Sequence, residues 1–179
     1  MADSIVDGRT SLTTNDAGGL DDSSGAAAGN TNTGTRVQGT GSQSDKVSMS
    51  VEGLLFDAGS AQDWSGNVFY IYWTCTTPGL LDTLANGGVR LRFCGNTVSD
   101  FFEIYIAGSD FFPASTAGGF IMTVADIDEV LAQATGAGPG GTGGAAPATT
   151  AIRYVGIIWD VPGSVPGNVD NCYIDAMWR

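Results

Sequence analysis

The stretch GNVFYIYWTC, residues 66–75, carries Val68, Phe69, Tyr70, Ile71, Tyr72 and Trp73 without a break. So short a run of β-branched and aromatic side chains, entered through Gly and Asn, reads as a strand. Its density implies a central strand covered on both faces. Working outward, KVSMSVEGLLF (46–56) sets Val47, Met49 and Val51 against Ser48, Ser50 and Glu52, the period of two of a half-buried strand. NGGVRLRFCG (86–95) opens on an Asn-Gly turn signal and alternates Val89, Leu91 and Phe93 with Arg90 and Arg92. DFFEIYIAGSD (100–110), GGFIMTV (118–124), IRYVGIIWDV (152–161) and NCYIDAMW (171–178) continue the pattern. About seven strands spaced by turn residues predict an all-β fold, an antiparallel jelly-roll β-sandwich, over residues 46–179.

One segment departs from this period. In TVADIDEVLAQAT (123–135), Val124, Ile127, Val130, Leu131 and Ala134 recur at helical spacing. This predicts one short helix, with Thr123 as N-cap and Asp126 at the third helical position. The following GAGPGGTGGAAPATT (136–150) reads as a long loop able to reach across a sheet edge or to a neighbouring subunit.

Residues 1–45 are a second region, an extended low-complexity N-terminal arm. Its tract DDSSGAAAGNTNTGT (21–35) is too poor in apolar side chains to offset its own ordering entropy. Ile5, Val6 and Leu12 flank an Asp7-Gly8 turn signal and are the candidate subunit-interface residues. A strand there could add to a neighbour's sheet or dock on its own domain.

Charge and composition narrow the functions. A formal net charge of −12, from seven basic and nineteen acidic residues, argues against nucleic-acid backbones and anionic membranes as partners. No run approaches the roughly 20 apolar residues of a spanning helix, and MADSIVDGRT lacks the basic start and apolar core of a signal peptide. With no histidine in the chain, the usual serine and cysteine triads and most zinc sites fall away. GPGGTGG is no phosphate loop, because a helix precedes it and no Lys-Ser/Thr follows. Asp57, Asp63, Asp100, Glu103, Asp160 and Asp175 lie near strand ends, where two could form a glycosidase pair only if brought together in space. The reading is therefore of a protein that is not an enzyme. Cys75, Cys94 and Cys172 all fall in strands; buried thiols, or one disulfide with a thiol left over, both fit an odd count.

Two binding chemistries have candidate residues. Oxygen donors cluster as Asp57, Asp63 and Asn67, and again as Asp170 and Asp175, and could hold a structural calcium; the sequence points to no other cofactor. Trp64, in the polar turn DWSGN, is the candidate glycan platform, whereas Trp73 and Trp159 lie inside apolar runs and read as core.

GLLFDAGSAQDWSGNVFYIYW, GGVRLRFCG, DFFEIYIAGSD, IRYVGIIWDV and GNVDNCYIDAMWR together resemble a group of tailed-phage virion structural proteins with a galactose-binding-like jelly roll. The resemblance implies a self-assembling homo-oligomer of a virion or similar extracellular particle or filament, as capsid decoration, tail or fibre. Its partners would be further copies of itself, other virion proteins and glycans. It also implies more chain after Arg179. The alternative function is a carbohydrate-binding module used in host or glycan recognition.

Overall fold

The structure is a computed structural model that describes residues 11–13, 20–22, 30–32, 42–45, 50–75, 89–106, 121–161 and 172–179. Eight strands build its body: β5 (Ser50–Gln62), β6 (Val68–Cys75), β7 (Val89–Cys94), β8 (Phe101–Ile106), β9 (Ile121–Asp126), β10 (Gly140–Gly143), β11 (Ile152–Val161) and β12 (Cys172–Trp178). Four short strands precede them: β1 (Ser11–Thr13), β2 (Leu20–Asp22), β3 (Asn30–Asn32) and β4 (Ser42–Asp45). One sheet runs β3-β4-β12-β6-β9, with β1 also on β12; the other runs β10-β8-β7-β11-β5-β2. All pairings are antiparallel. Within the body the chain crosses between sheets from β5 to β6, β6 to β7, β8 to β9, β9 to β10 and β11 to β12, the winding of a jelly-roll sandwich. The all-β sandwich with one helix is as the strand pattern implies.

The inward faces interdigitate as the period of two requires. Phe69, Ile71 and Trp73 of β6 meet Val89, Leu91 and Phe93 of β7, Phe102 of β8 and Val155, Ile157 and Trp159 of β11. Phe93 stacks on Phe102 with centroids 5.3 Å apart, and Phe69 meets Phe93 edge-on at 5.5 Å. The strand covered on both faces is β11, not β6. Tyr154 and Ile158 of β11 join Leu55 and Cys94 in a second buried cluster on the outer side of their sheet. Gly53 and Gly156 permit the close pairing there, since a Cβ at Gly156 would strike the Leu54 carbonyl of β5. On the outward face of β6 Thr74 is buried, while Tyr70 and Tyr72 remain half-exposed.

Two local expectations are corrected. The helix α1 spans Ile127–Thr135, and its N-cap is Asp126, whose Oδ1 accepts from the Asp128 and Glu129 amides at 3.0 and 3.1 Å. Thr123 cannot cap it, because β9 stays paired with β6 as far as Val68 opposite Asp126. Thr123 Oγ1 instead accepts from Trp73 Nε1 at 2.8 Å. The glycine-rich stretch is not a free loop, since Gly140–Gly143 pairs with Phe101–Ile104 as strand β10. Its glycines leave room for β8's rings: a Cβ at Gly141 would lie 2.6 Å from Tyr105 Oη, and one at Gly143 would strike the Phe101 ring.

Short strands of residues 1–45 pair with strands of the body. β1 and β4 pair with β12, β2 pairs with β5, and β3 pairs with β4, so strands from residues 1–45 lie within both sheets. At the other end, Arg179 donates from Nη1 to the Asp63 carbonyl at 3.0 Å and from Nη2 to Gln62 Oε1 at 2.8 Å.

On the outer side of β7 and β8 the cross-strand register places Glu103 opposite Arg92. Glu103, 1% exposed, accepts from Arg92 Nε at 2.7 Å and from Arg90 Nη1 at 2.9 Å. Arg92 in turn lies 3.8 Å over the Phe101 ring, and Arg90 4.8 Å over Tyr105. Removing one member leaves a buried charge without its counter-charge. Glu103→Ala should therefore cost about 3–5 kcal/mol in chemical denaturation; a loss under about 1 kcal/mol would show that the triad is effectively solvated.

Candidate functional site

The residues singled out in the sequence are placed individually by the fold. Trp64 is wholly buried. Its amide donates to the Thr149 carbonyl at 2.8 Å, its carbonyl accepts from the Asn67 amide at 3.1 Å, and its ring tilts against Phe69. The Arg179 guanidinium covers it at 4.7 Å. Trp64 plugs one end of the core and offers no face for a sugar, which corrects its assignment as a glycan platform.

The proposed calcium ligands are already engaged. Both Asp57 oxygens accept from Arg153, Oδ1 from Nε at 2.7 Å and Oδ2 from Nη2 at 2.8 Å, and Oδ1 also accepts from the Gly59 amide at 2.7 Å. Asp63 Oδ1 accepts from the Ser65 amide and hydroxyl, and Asn67 Nδ2 donates to the Ser65 carbonyl. A guanidinium seated on Asp57 excludes a second cation from it. Among the described residues no three histidine, cysteine, aspartate or glutamate side chains come together to hold a metal. Asp170 lies outside the described residues, as does the side chain of Asp175. Of the interface candidates, Ile5 and Val6 also lie outside them, while Leu12 belongs to β1, paired with β12 of the same chain.

Two further carboxylates have local partners. Asp100 Oδ1 accepts from the Ala145 amide at 3.0 Å, and Glu103 is enclosed by its two arginines. Cys94 is a free buried thiol that burial pushes up to about 12. Cys172 stands opposite Cys75 in the register of β12 and β6.

What the fold leaves open is elsewhere, at the β9 end of the first sheet. Tyr70 and Tyr72 of β6 stand opposite Val124 and Met122 of β9. Their positions alternate with the inward Phe69, Ile71 and Trp73, so all four side chains share the outer face. Met122 is 47% and Val124 48% exposed, the large apolar side chains most open to solvent among the described residues. Beside this face, between β9, α1 and the second sheet, lies a half-open cleft of about 190 Å³. Leu91, Ile104 and Val130 form its floor, Asp126, Glu129 and Gln133 its rim, and Val124 lies on both cleft and face. Gln133 Nε2 donates to Glu129 Oε1 at 2.9 Å. The alternation of Tyr with Phe, Ile and Trp in residues 68–73 carried this signal. Taking the run as buried on both sides concealed it.

The fold is an all-β antiparallel sandwich that, among the described residues, turns half-exposed tyrosines and exposed apolar side chains outward at the β9 end of one sheet. No family model matches the chain, and no curated protein matches it. Among solved structures it is similar to a β-sandwich carbohydrate-binding module studied for promiscuous specificity, at a TM-score of 0.49 and 10% identity, covering 90% of this chain. It is also similar to an exo-β-agarase, at a TM-score of 0.42 and 11% identity, covering 98% of this chain. The chain spans 57% of the first structure's length and 23% of the second's.

The Asp57–Arg153 pair has a pH consequence. Hydrogen bonding from Arg153 holds the Asp57 carboxyl below its ordinary value of 3.8, against the opposing effect of partial burial. A depressed folded-state value adds stability that is complete above the unfolded value and is lost as pH falls through the folded one. Asp57→Asn should therefore flatten the acid limb of stability below about pH 4, measured as the denaturation midpoint against pH; an unchanged limb would refute the linkage.

Proposed function

We propose that the chain is a carbohydrate-binding module whose ligand lies on the face formed by Tyr70, Tyr72, Met122 and Val124. The observation that carries this reading is the pairing of two half-exposed tyrosines with two exposed apolar side chains, next to a cleft with a polar rim. Flat aromatic rings meet the C–H faces of sugar rings, while the phenol hydroxyls and the rim supply hydrogen bonds. The sheet holds these side chains at fixed spacing, so little conformational freedom is lost on binding. Tyr72→Ala and Tyr70→Ala should each weaken binding roughly tenfold or more on a glycan array followed by calorimetry. Folding stability should stay within about 1 kcal/mol of wild type. Unchanged affinity in both variants would refute the site.

A second reading is assembly, and a specific observation favours it. β12 has β6 along one edge, and its other edge is shared between β4 at Cys172–Ile174 and β1 at Met177 and Trp178. β2 covers only Leu54, Leu55 and Phe56 on the outer edge of β5. These covering strands are three or four residues long, and the arm of another copy could make the same main-chain bonds. Exchange of this kind would build the homo-oligomer of a virion or extracellular particle that the resemblance to tailed-phage proteins implies. Deleting residues 1–45 should then abolish higher oligomers in light scattering coupled to size exclusion; an unchanged mass distribution would refute this reading.

A further inference from the structure

We infer that the cleft between β9 and α1 is a subsite for one sugar residue bearing a free ammonium group, a hexosamine, at the end of a glycan laid along the Tyr70–Tyr72 face. The inference rests on the glycan-binding reading and adds the chemical class of the ligand. Size limits the occupant first. At about 190 Å³ the cleft falls below the roughly 300–1,000 Å³ of sites for drug-sized ligands, which restricts it to a single ring.

Charge then selects among rings. The floor of Leu91, Ile104 and Val130 suits the C–H face of a pyranose, and the rim carries two carboxylates and one amide with no cationic side chain among the described lining residues. Glu129 gives one bond site to Gln133, of the roughly four acceptor sites a carboxylate offers. Asp126 uses Oδ1 to cap the helix. The start of α1 contributes about half a positive charge, but Asp126, Asp128 and Glu129 all lie there and outweigh it. The chain's net charge of −12 acts in the same direction over longer range. Uronic, sialic and sulfated sugars are repelled by both fields, while an ammonium group at the rim is attracted by both.

The test compares a glucosamine tetrasaccharide, its fully N-acetylated counterpart and a neutral glucose tetrasaccharide. Binding to the intact chain is followed by methyl NMR of Val124, Val130, Leu91 and Ile104 and by calorimetry. The free-amine tetramer should bind tightest, shift the cleft methyls and weaken with added salt. Glu129→Gln should weaken it roughly two- to fivefold and leave the acetylated tetramer unchanged. Equal affinity for the free-amine and acetylated forms, or equal affinity of Glu129→Gln and wild type for the amine, overturns the inference. Neutral tetramers that bind through Tyr70 and Tyr72 while no sugar shifts the cleft methyls would overturn the subsite and leave the face standing. Absence of binding by all three would overturn both.

Discussion

Strand β11 has apolar side chains on both faces, and the rest of the molecule is arranged around satisfying both. Val155, Ile157 and Trp159 need a facing sheet, which β6 and β12 supply. Tyr154 and Ile158 need cover on the opposite side, where they are buried with Leu55 of β5 and Cys94 of β7. β5 pairs with β11 over most of its length, and a side chain at Gly156 would strike the Leu54 carbonyl. The two-sided burial of one strand thus sets the composition of its neighbours. Among the described residues, the sheet containing β11 carries none of the exposed large apolar side chains.

The outer surface of that sheet is closed further by charge pairing. Register places Glu103 between two arginines of β7, and Phe101 and Tyr105 lie against those arginines from either side. Both rings also occupy space left by glycines of β10. An edge strand of glycine is poor in intrinsic β preference, and here the two aromatic side chains from the adjacent strand supply the packing it lacks. Arg153 on Asp57 completes a surface where most charges already have partners.

Much of this architecture was legible because strand alternation is a strong local signal. The inward residues of β7, residues 89, 91 and 93, are the ones alternation selects. What remained hidden depended on register or on ambiguous side chains. Glu103 reads as one of several strand-end carboxylates because nothing in its own strand reveals the arginines opposite. Trp64 sits in a polar turn, and only the meeting of that turn with Thr149 and Arg179 buries it. Residues 140–143 read as loop because glycine conceals a strand whose packing comes from Phe101 and Tyr105. The candidate face was missed because tyrosine is equally at home in a core and on a surface, so a run of Tyr, Ile, Tyr and Trp does not declare which face is covered.

The contrast between the two outer surfaces is the strongest argument for where function lies. Among the described residues β9 ends its sheet, and an end strand ordinarily carries lysine, proline, a bulge or inward charge to discourage unwanted pairing. β9 has none of these over Ile121–Ala125, and its first charged residue, Asp126, is committed to capping α1. In a chain with nineteen acidic residues, carboxylates at positions 122 and 124 would have cost little and would have kept the face wetted. The apolar side chains found there, set against two tyrosines and the mouth of a cleft, expose surface to water with no structural gain. Such exposure is compensated when something covers it, and the carboxylates of the adjacent rim disfavour an anionic occupant.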